Sequence, residues 1–220
     1  MSMHVSFDFD YTLAESSEGT VVCALYALGE MGYALPTSDA IRRTIGFSLE
    51  KTFRILTDDT NEDAAARFKK LFFAHADDVM LGHIHLYPEV PELLRRLKEE
   101  KHYVSIVSTK LKYRIEAALQ RDQLFDLVDD IVGGGCVVNN KPHPEPLLLA
   151  CQRSNVPATQ TVYVGDSVSD GECAQRADVT FVAVLTGTTT AEELQEYDPT
   201  IILSNVGDLR PTSLLNRTAN

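Results

Sequence analysis

Asp8 and Asp10 stand two residues apart behind a short apolar run, in Val5-Ser6-Phe7-Asp8-Phe9-Asp10-Tyr11-Thr12-Leu13. A strand ending in two carboxylates is costly unless something uses the charge. In a parallel α/β sheet the carboxyl ends of the strands are where ligands bind. Alternation along an extended chain would point Asp8 and Asp10 the same way. Two such acids either bind a divalent cation or divide nucleophile and acid–base roles. The competing reading is a surface turn after a strand.

Three further runs end in residues of the types that phosphate and metal chemistry needs. Ser108 and Thr109 follow the apolar run Tyr103–Val107 and precede a helix. Hydroxyls and free amides at a helix start suit a phosphate oxygen, although an ordinary helix cap looks the same. In Asn140-Lys141-Pro142-His143-Pro144-Glu145-Pro146 the alternate prolines keep the loop extended and stiff. Lys141 there would neutralise a phosphate as a point charge, and His143 reads as a loop or supporting residue. In Val162-Tyr163-Val164-Gly165-Asp166-Ser167-Val168-Ser169-Asp170, Gly165 permits a tight turn and Asp166 at the strand tip suits a metal. Asp170 would touch the metal or orient Lys141; a helix cap with a first-turn acid is the alternative.

These residues need a scaffold that brings four strand ends to one edge. From residue 86 onward, short apolar strands alternate with helices. The expected helices are Glu89–Glu100, Leu111–Asp122, Pro144–Ser154 and one beginning near Ser167. The expected strands are Tyr103–Val107, Asp130–Val132, Thr161–Val164, Phe181–Leu185 and Thr200–Leu203. That pattern predicts βα units on a mostly parallel sheet. Residues 18–83 contain no convincing strand; Gly19–Met31, Ser38–Ile45, Ser48–Leu56 and Asn61–Met80 have helical spacing. The expected fold class is therefore α/β, a three-layer Rossmann-like parallel sheet with an inserted all-helical cap subdomain. Core residues 1–16 and 84–220 would flank a cap at 17–83. An insertion at the ligand-binding edge is placed to act as a lid, with Ser16, Ser17 and Gly82 as hinge positions.

The chain has 220 residues, 44 % of them hydrophobic, enough for one sizeable core. No apolar run approaches the ~20 residues that span a bilayer, and no signal peptide is read at the N-terminus. Four scattered cysteines without a CxxC pair read as reduced thiols of a cytoplasmic protein. The net charge of −12 argues against nucleic acid as a partner. It also means that an anionic substrate needs a local positive centre, met by a divalent cation and one or two placed basic side chains. The polar stretch from Pro211 to Asn220 is expected to fray, and the chain to be a monomer or a weak homodimer without membrane partners.

Taken together, the motifs resemble the haloacid dehalogenase-like superfamily of phosphotransferases. The resemblance rests on Asp8-Phe9-Asp10-Tyr11-Thr12-Leu13, Ser108, Lys141 with its proline-rich continuation, and Gly165-Asp166-Ser167-Val168-Ser169-Asp170. Thr44-Ile45-Gly46, Tyr87-Pro88-Glu89-Val90 and Lys141-Pro142 are similar to the phosphoglycolate phosphatase and β-phosphoglucomutase branch, which carries a helical cap. What this implies is two-step transfer through an aspartyl phosphate. Asp8 would be the nucleophile and Asp10 the acid and base. Mg2+ would be held by Asp8, the Asp10 backbone carbonyl and Asp166. Ser108, Thr109 and Lys141 would hold the phosphoryl oxygens, with Asp170 and Ser167 supporting from behind.

Tyr11, Thr109 and Asp178 depart from the glycine, asparagine and glycine that the family usually has. The implied activity is Mg2+-dependent hydrolysis of a small phosphorylated metabolite, with phosphoglycolate as the default. Inorganic pyrophosphatase and sugar phosphomutase are the alternatives, the latter needing a cap that grips a sugar phosphate. Arg42, Arg43, Lys51 and Arg54 are the cap cations available, Arg43 foremost as a substrate contact. A phosphorylatable signalling domain is the non-enzymatic reading; the helical insertion and Asp10 argue against it.

Overall fold

The run His4–Phe7 is buried along its whole length, as a central strand of a parallel sheet must be. It forms β1 of a computed structural model that describes residues 2–211; the polar tail from 212 onward, expected to fray, lies outside the described residues. The other long strands are β4 (Tyr103–Leu111), β5 (Asp130–Gly134), β6 (Thr161–Gly165), β7 (Thr180–Val184) and β8 (Ile201–Leu203). They pair in parallel in the order β5-β4-β1-β6-β7-β8. The strand order reverses at β1, so the crevice beyond its carboxyl end is the expected ligand position.

Helices cover both faces. Val5, Phe7, Ile106 and Val164 share one buried cluster with Leu93, Leu94 and Leu97 of α5 (Val90–Glu99) and Ile115 and Leu119 of α6 (Lys112–Arg121). Val107, Val132, Tyr163 and Phe181 share another with Leu147 of α7 (Glu145–Ser154), Cys173 of α8 (Val168–Ala177) and Leu194 of α9 (Ala191–Gln195). This is the three-layer arrangement read from the sequence. The α/β alternation was legible because buried parallel strands are near-continuous apolar runs.

Between β1 and α5 the chain forms α1 (Ser17–Glu30), α2 (Ser38–Arg42), α3 (Leu49–Thr57) and α4 (Glu62–Val79). They are flanked by β2 (Ala14–Glu15) and β3 (His85–Leu86), which pair antiparallel where the chain leaves and returns. Phe53, Phe68 and Phe72 form the aromatic centre of the helical block. Arg114 of α6 reaches Asp77 of α4 at 2.6 Å. Arg121 donates to the carbonyls of Leu81 and Ile84.

Some boundaries differ from expectation. β4 continues four residues past Val107, and α6 starts only at Lys112. Its ladder with β5 shifts register between Val107 and Leu111. A side chain at Gly134 would put Cβ 2.5 Å from the Thr109 carbonyl, and one at Gly133 would meet Lys110 O at 2.8 Å. Two glycines thus let β5 support an irregular continuation of β4 that apolar periodicity could not reveal. α2 stops at Arg42 rather than Ile45, ahead of Gly46 at φ 98°. No helix of the described residues is long and apolar enough to cross a membrane.

Candidate active site

Asp8 is the first residue past β1, and its amide donates to Val164 O of β6 at 2.8 Å. That bond fixes the carboxylate at the reversal point of the sheet. Lys141, from the loop after β5, places Nζ 2.8 Å from Asp8 Oδ1 and 2.6 Å from Asp170 Oδ1. It also donates to the Tyr163 hydroxyl at 3.0 Å. That hydroxyl in turn lies 2.8 Å from Asp170 Oδ1 and 2.9 Å from the Val107 carbonyl. The other Asp170 oxygen accepts from the Ser167 amide and hydroxyl, closing a capping box at the start of α8. Gly165 permits this: a Cβ there would lie 2.5 Å from Asp170 Cβ.

The electrostatics are unbalanced. Asp8, Asp166 and Asp170 bring carboxylate oxygens within 4.8 Å of one another, all buried. Among the described residues, Lys141 is the one ammonium paired with them. Burial pushes the Asp8 carboxyl up to about 7; Lys141 pulls it down, and Asp170 adds to the rise. Burial also raises Asp166 well above the usual carboxylate range, with Asp170 and Asp8 adding to it. Burial alone would lower Lys141, but Asp170 and Asp8 outweigh it and hold the lysine protonated.

This donor set fits a divalent cation. Asp8 Oδ1 is buried with no hydrogen bond assigned to it among the described residues, and Lys141 Nζ lies 2.8 Å away as its ion-pair partner. Asp166 Oδ1 accepts from Thr12 Oγ1 at 3.0 Å. Its Oδ2 lies where a Cβ on residue 187 would fall, so only glycine leaves that oxygen its place. Hard oxygen ligands and surplus negative charge suit Mg2+ or a similar ion. Both Asp170 oxygens are already engaged, which favours Asp170 as the anchor of Lys141.

Asp10 faces a different neighbourhood. The strand ends at Phe7, so alternation does not position the Asp8–Asp10 pair; a tight turn does. Tyr11 sits at its centre with a left-handed φ of 62°. Tyr11 is buried, and Thr186 Oγ1 donates to its carbonyl. Asp10 Oδ1 accepts from Ser16 Oγ and from Lys110 Nζ, the latter at 2.7 Å. Asp178, the other departure from glycine, also takes a left-handed φ of 54° as the cap of α8.

Ser108 is buried at the start of the irregular β4 continuation, and its Oγ accepts from the Lys110 amide. Thr109, Lys110 and Asp10 line a cavity of about 300 Å³ closed from the helical block by Phe47, Phe72 and Phe73. Arg43 instead joins Asp166, Ser167 and Thr188 around a smaller cavity of about 120 Å³. Arg42 is tied to Ser17, Asp39 and Glu18, and Arg54 to Glu62. Lys51 lies over the Phe47 ring. All four cysteines are free thiols.

Asp8, Lys141, Asp166 and Asp170 therefore converge, with Ser108 on the neighbouring strand β4 and Asp10 two residues beyond Asp8. The sequence reading missed Lys110, Tyr163, Thr12 and Gly187. A tyrosine inside the apolar run Val162–Val164 was one available signal, because a buried phenol must find a polar partner.

Known proteins carry the same architecture. The family described as haloacid dehalogenase-like hydrolase matches residues 5–184. Pyrophosphatase PpaX of Bacillus cereus (strain B4264) is 30% identical over 215 residues, covering 97% of this chain and 98% of that protein. A phosphoglycolate phosphatase of Shigella boydii is 28% identical, covering 98% of this chain and 94% of its own. A haloacid dehalogenase-like hydrolase crystal structure from Bacteroides fragilis superimposes with a TM-score of 0.92 at 40% identity, covering 96% of this chain and 100% of the other. With a family match over most of its length and relatives aligned almost end to end, the chain belongs to the haloacid dehalogenase-like hydrolases.

Proposed function

We propose that this protein is a Mg2+-dependent phosphatase that hydrolyses small phosphorylated metabolites through a phosphoryl group carried on Asp8. The observation that carries the reading is the buried contact of Asp8 with Lys141, set against the carboxylates of Asp166 and Asp170. Phosphoryl transfer needs little beyond in-line positioning and neutralised charge, and this cluster is built to supply both.

Asp8 attacks phosphorus as a bond forms from its carboxylate and the bond to the leaving oxygen breaks. Asp10 gives its proton to that oxygen. In the second half Asp10 takes a proton from water, the water oxygen bonds to phosphorus, and the Asp8 carboxylate is released. Ser108 and Lys141 hold the phosphoryl oxygens, with Thr109 beside them. Asp170, Tyr163 and Ser167 keep Lys141 in place. Asp8, Asp166 and the Asp10 backbone carbonyl would hold Mg2+, which when bound offsets repulsion between the nucleophile and an anionic ester. Residues 17–83 act as a cap on a core of 1–16 and 84–220, and Arg43 approaches substrate from the cap. PpaX and phosphoglycolate phosphatase make inorganic pyrophosphate and phosphoglycolate the first substrates to try.

Phosphate release from a panel of phosphorylated metabolites, with and without Mg2+, tests the reading. Wild type releases phosphate from at least one of them only when Mg2+ is present. Asp8→Asn loses at least about 10³-fold in turnover with an unchanged circular dichroism spectrum. Near-normal turnover by that variant removes Asp8 as the nucleophile.

A further inference from the structure

The geometry points to Lys110 as the positioning residue for the Asp10 carboxyl, the group that serves the leaving oxygen; this rests on the acid–base role proposed for Asp10. Lys110 Nζ is 2.7 Å from Asp10 Oδ1, and the two side chains are only 5% and 12% exposed. Holding a charged pair so far from water is costly and is weak evidence for stability by itself. The pair sits at a cavity wall, where an orienting role accounts for that cost.

Three features fix Lys110 in this position. Its amide donates to Ser108 Oγ at 3.3 Å, so the cation and the phosphate-facing hydroxyl share one short segment. Gly133 approaches the Lys110 carbonyl so closely that a Cβ would lie 2.8 Å from it, pressing β5 against the segment. The Phe9 ring lies 5.9 Å from Nζ, on the residue between the two acids.

The bonding around Asp10 is one-sided. Ser16 and Lys110 both donate to Oδ1, and Oδ2 has no hydrogen-bond partner among the described residues. Asp10 and Lys110 line the 300 Å³ cavity beside Leu111, Phe47 and Phe72. Two donors on one oxygen set the plane of the carboxyl and leave the other oxygen for a leaving group in that cavity. Without Lys110 the carboxyl keeps only the Ser16 hydroxyl, which leaves it free to rotate.

The test compares two substrates. An alkyl phosphate has a poor leaving group that needs a proton, whereas p-nitrophenyl phosphate leaves without one. Lys110→Met and Lys110→Gln are expected to lose about 10²-fold in kcat/KM on the alkyl ester, and less than about fivefold on the aryl ester. Lys110→Arg restores most of the alkyl activity. The fraction of folded enzyme cancels in the ratio of the two kcat/KM values, so a merely destabilised variant keeps the wild-type ratio. A wild-type ratio in both Lys110→Met and Lys110→Gln overturns the proposal. Asp10→Asn separates the two levels. If it shows the skew and the Lys110 variants do not, only the role of Lys110 falls. If Asp10→Asn itself keeps the wild-type ratio, the acid–base reading of Asp10 falls as well.

Discussion

Gly187 passes so close to Asp166 that a Cβ on residue 187 would overlap the carboxylate oxygen Oδ2. The loop after β7 thus fixes one wall of the acidic cluster with backbone alone. A methyl group there must push Asp166 out of place or distort the loop. Gly187→Ala is expected to retain its fold but lose most of its response to Mg2+. Ligand at about a hundredfold over Kd adds about 2.7 kcal/mol. For a chain of this size that is a rise of about 5–10 °C in the thermal midpoint. Differential scanning fluorimetry with and without Mg2+ reads the loss directly. An undiminished shift in the alanine variant would show that Asp166 does not need that space.

The same thermal shift is expected to depend on pH. Burial raises the Asp8 carboxyl to about 7 and Asp166 well above its usual range. Protons therefore compete with the cation at neutral and lower pH. Mg2+ should stabilise the protein more at pH 8 than at pH 5.5, with most of the change near pH 7. Isothermal titration in buffers of different ionisation enthalpy should show proton release on binding. A shift of equal size at both pH values, without proton release, counts against the acidic cluster as the binding site.

Lys141 holds Asp8 and Asp170 together in a site closed to water. Removing one member of a buried ion pair costs about 3–5 kcal/mol, because the remaining charges lose their counterion. Lys141→Met should lower the urea midpoint accordingly at pH 8, and by less at pH 5.5, where the Asp8 carboxyl, raised to about 7 by burial, can take up a proton. Equal stability of wild type and variant at pH 8 would mean that the site relaxes or admits water.

His4 gives a pH effect away from the catalytic cluster. It is fully buried, with Nε2 2.7 Å from Ser105 Oγ. Burial takes the imidazole from 6.5 down to about 4, against the opposing pull of Asp130 and Asp129. Between those values the unfolded chain binds the proton and the folded one does not, so stability falls as pH falls. The loss from this group is at most about 3 kcal/mol between pH 6.5 and 4. The raised Asp8 carboxyl acts in the opposite direction and is common to both proteins compared. Urea unfolding should show a shallower acid-side decline for His4→Gln than for wild type. Parallel declines would remove His4 as their source.

The division of labour between chain and fold is plain at particular residues. Buried parallel strands read as apolar runs, so the strands holding Asp8, Ser108 and Asp166 were visible, as was the helical stretch at 17–83. Polar residues at the ends of such runs marked the chemistry. The long β4 was not visible, because its last four residues are supported by Gly133 and Gly134 of another strand. The short β2–β3 ribbon was missed because each strand has two residues, too few for any periodicity.

The linear chain by itself determined which chemical groups were on hand: two acids behind the first strand, a lysine in a stiff loop, and two more acids four residues apart. Hydrophobic patterning fixed those assignments because it is local. Only the tertiary structure decided the pairings. Lys141 meets Asp8 across 133 positions, from 8 to 141, and Lys110 meets Asp10 across 100. Such contacts depend on strand order and on how closely glycine backbones approach their neighbours, and no local pattern encodes either.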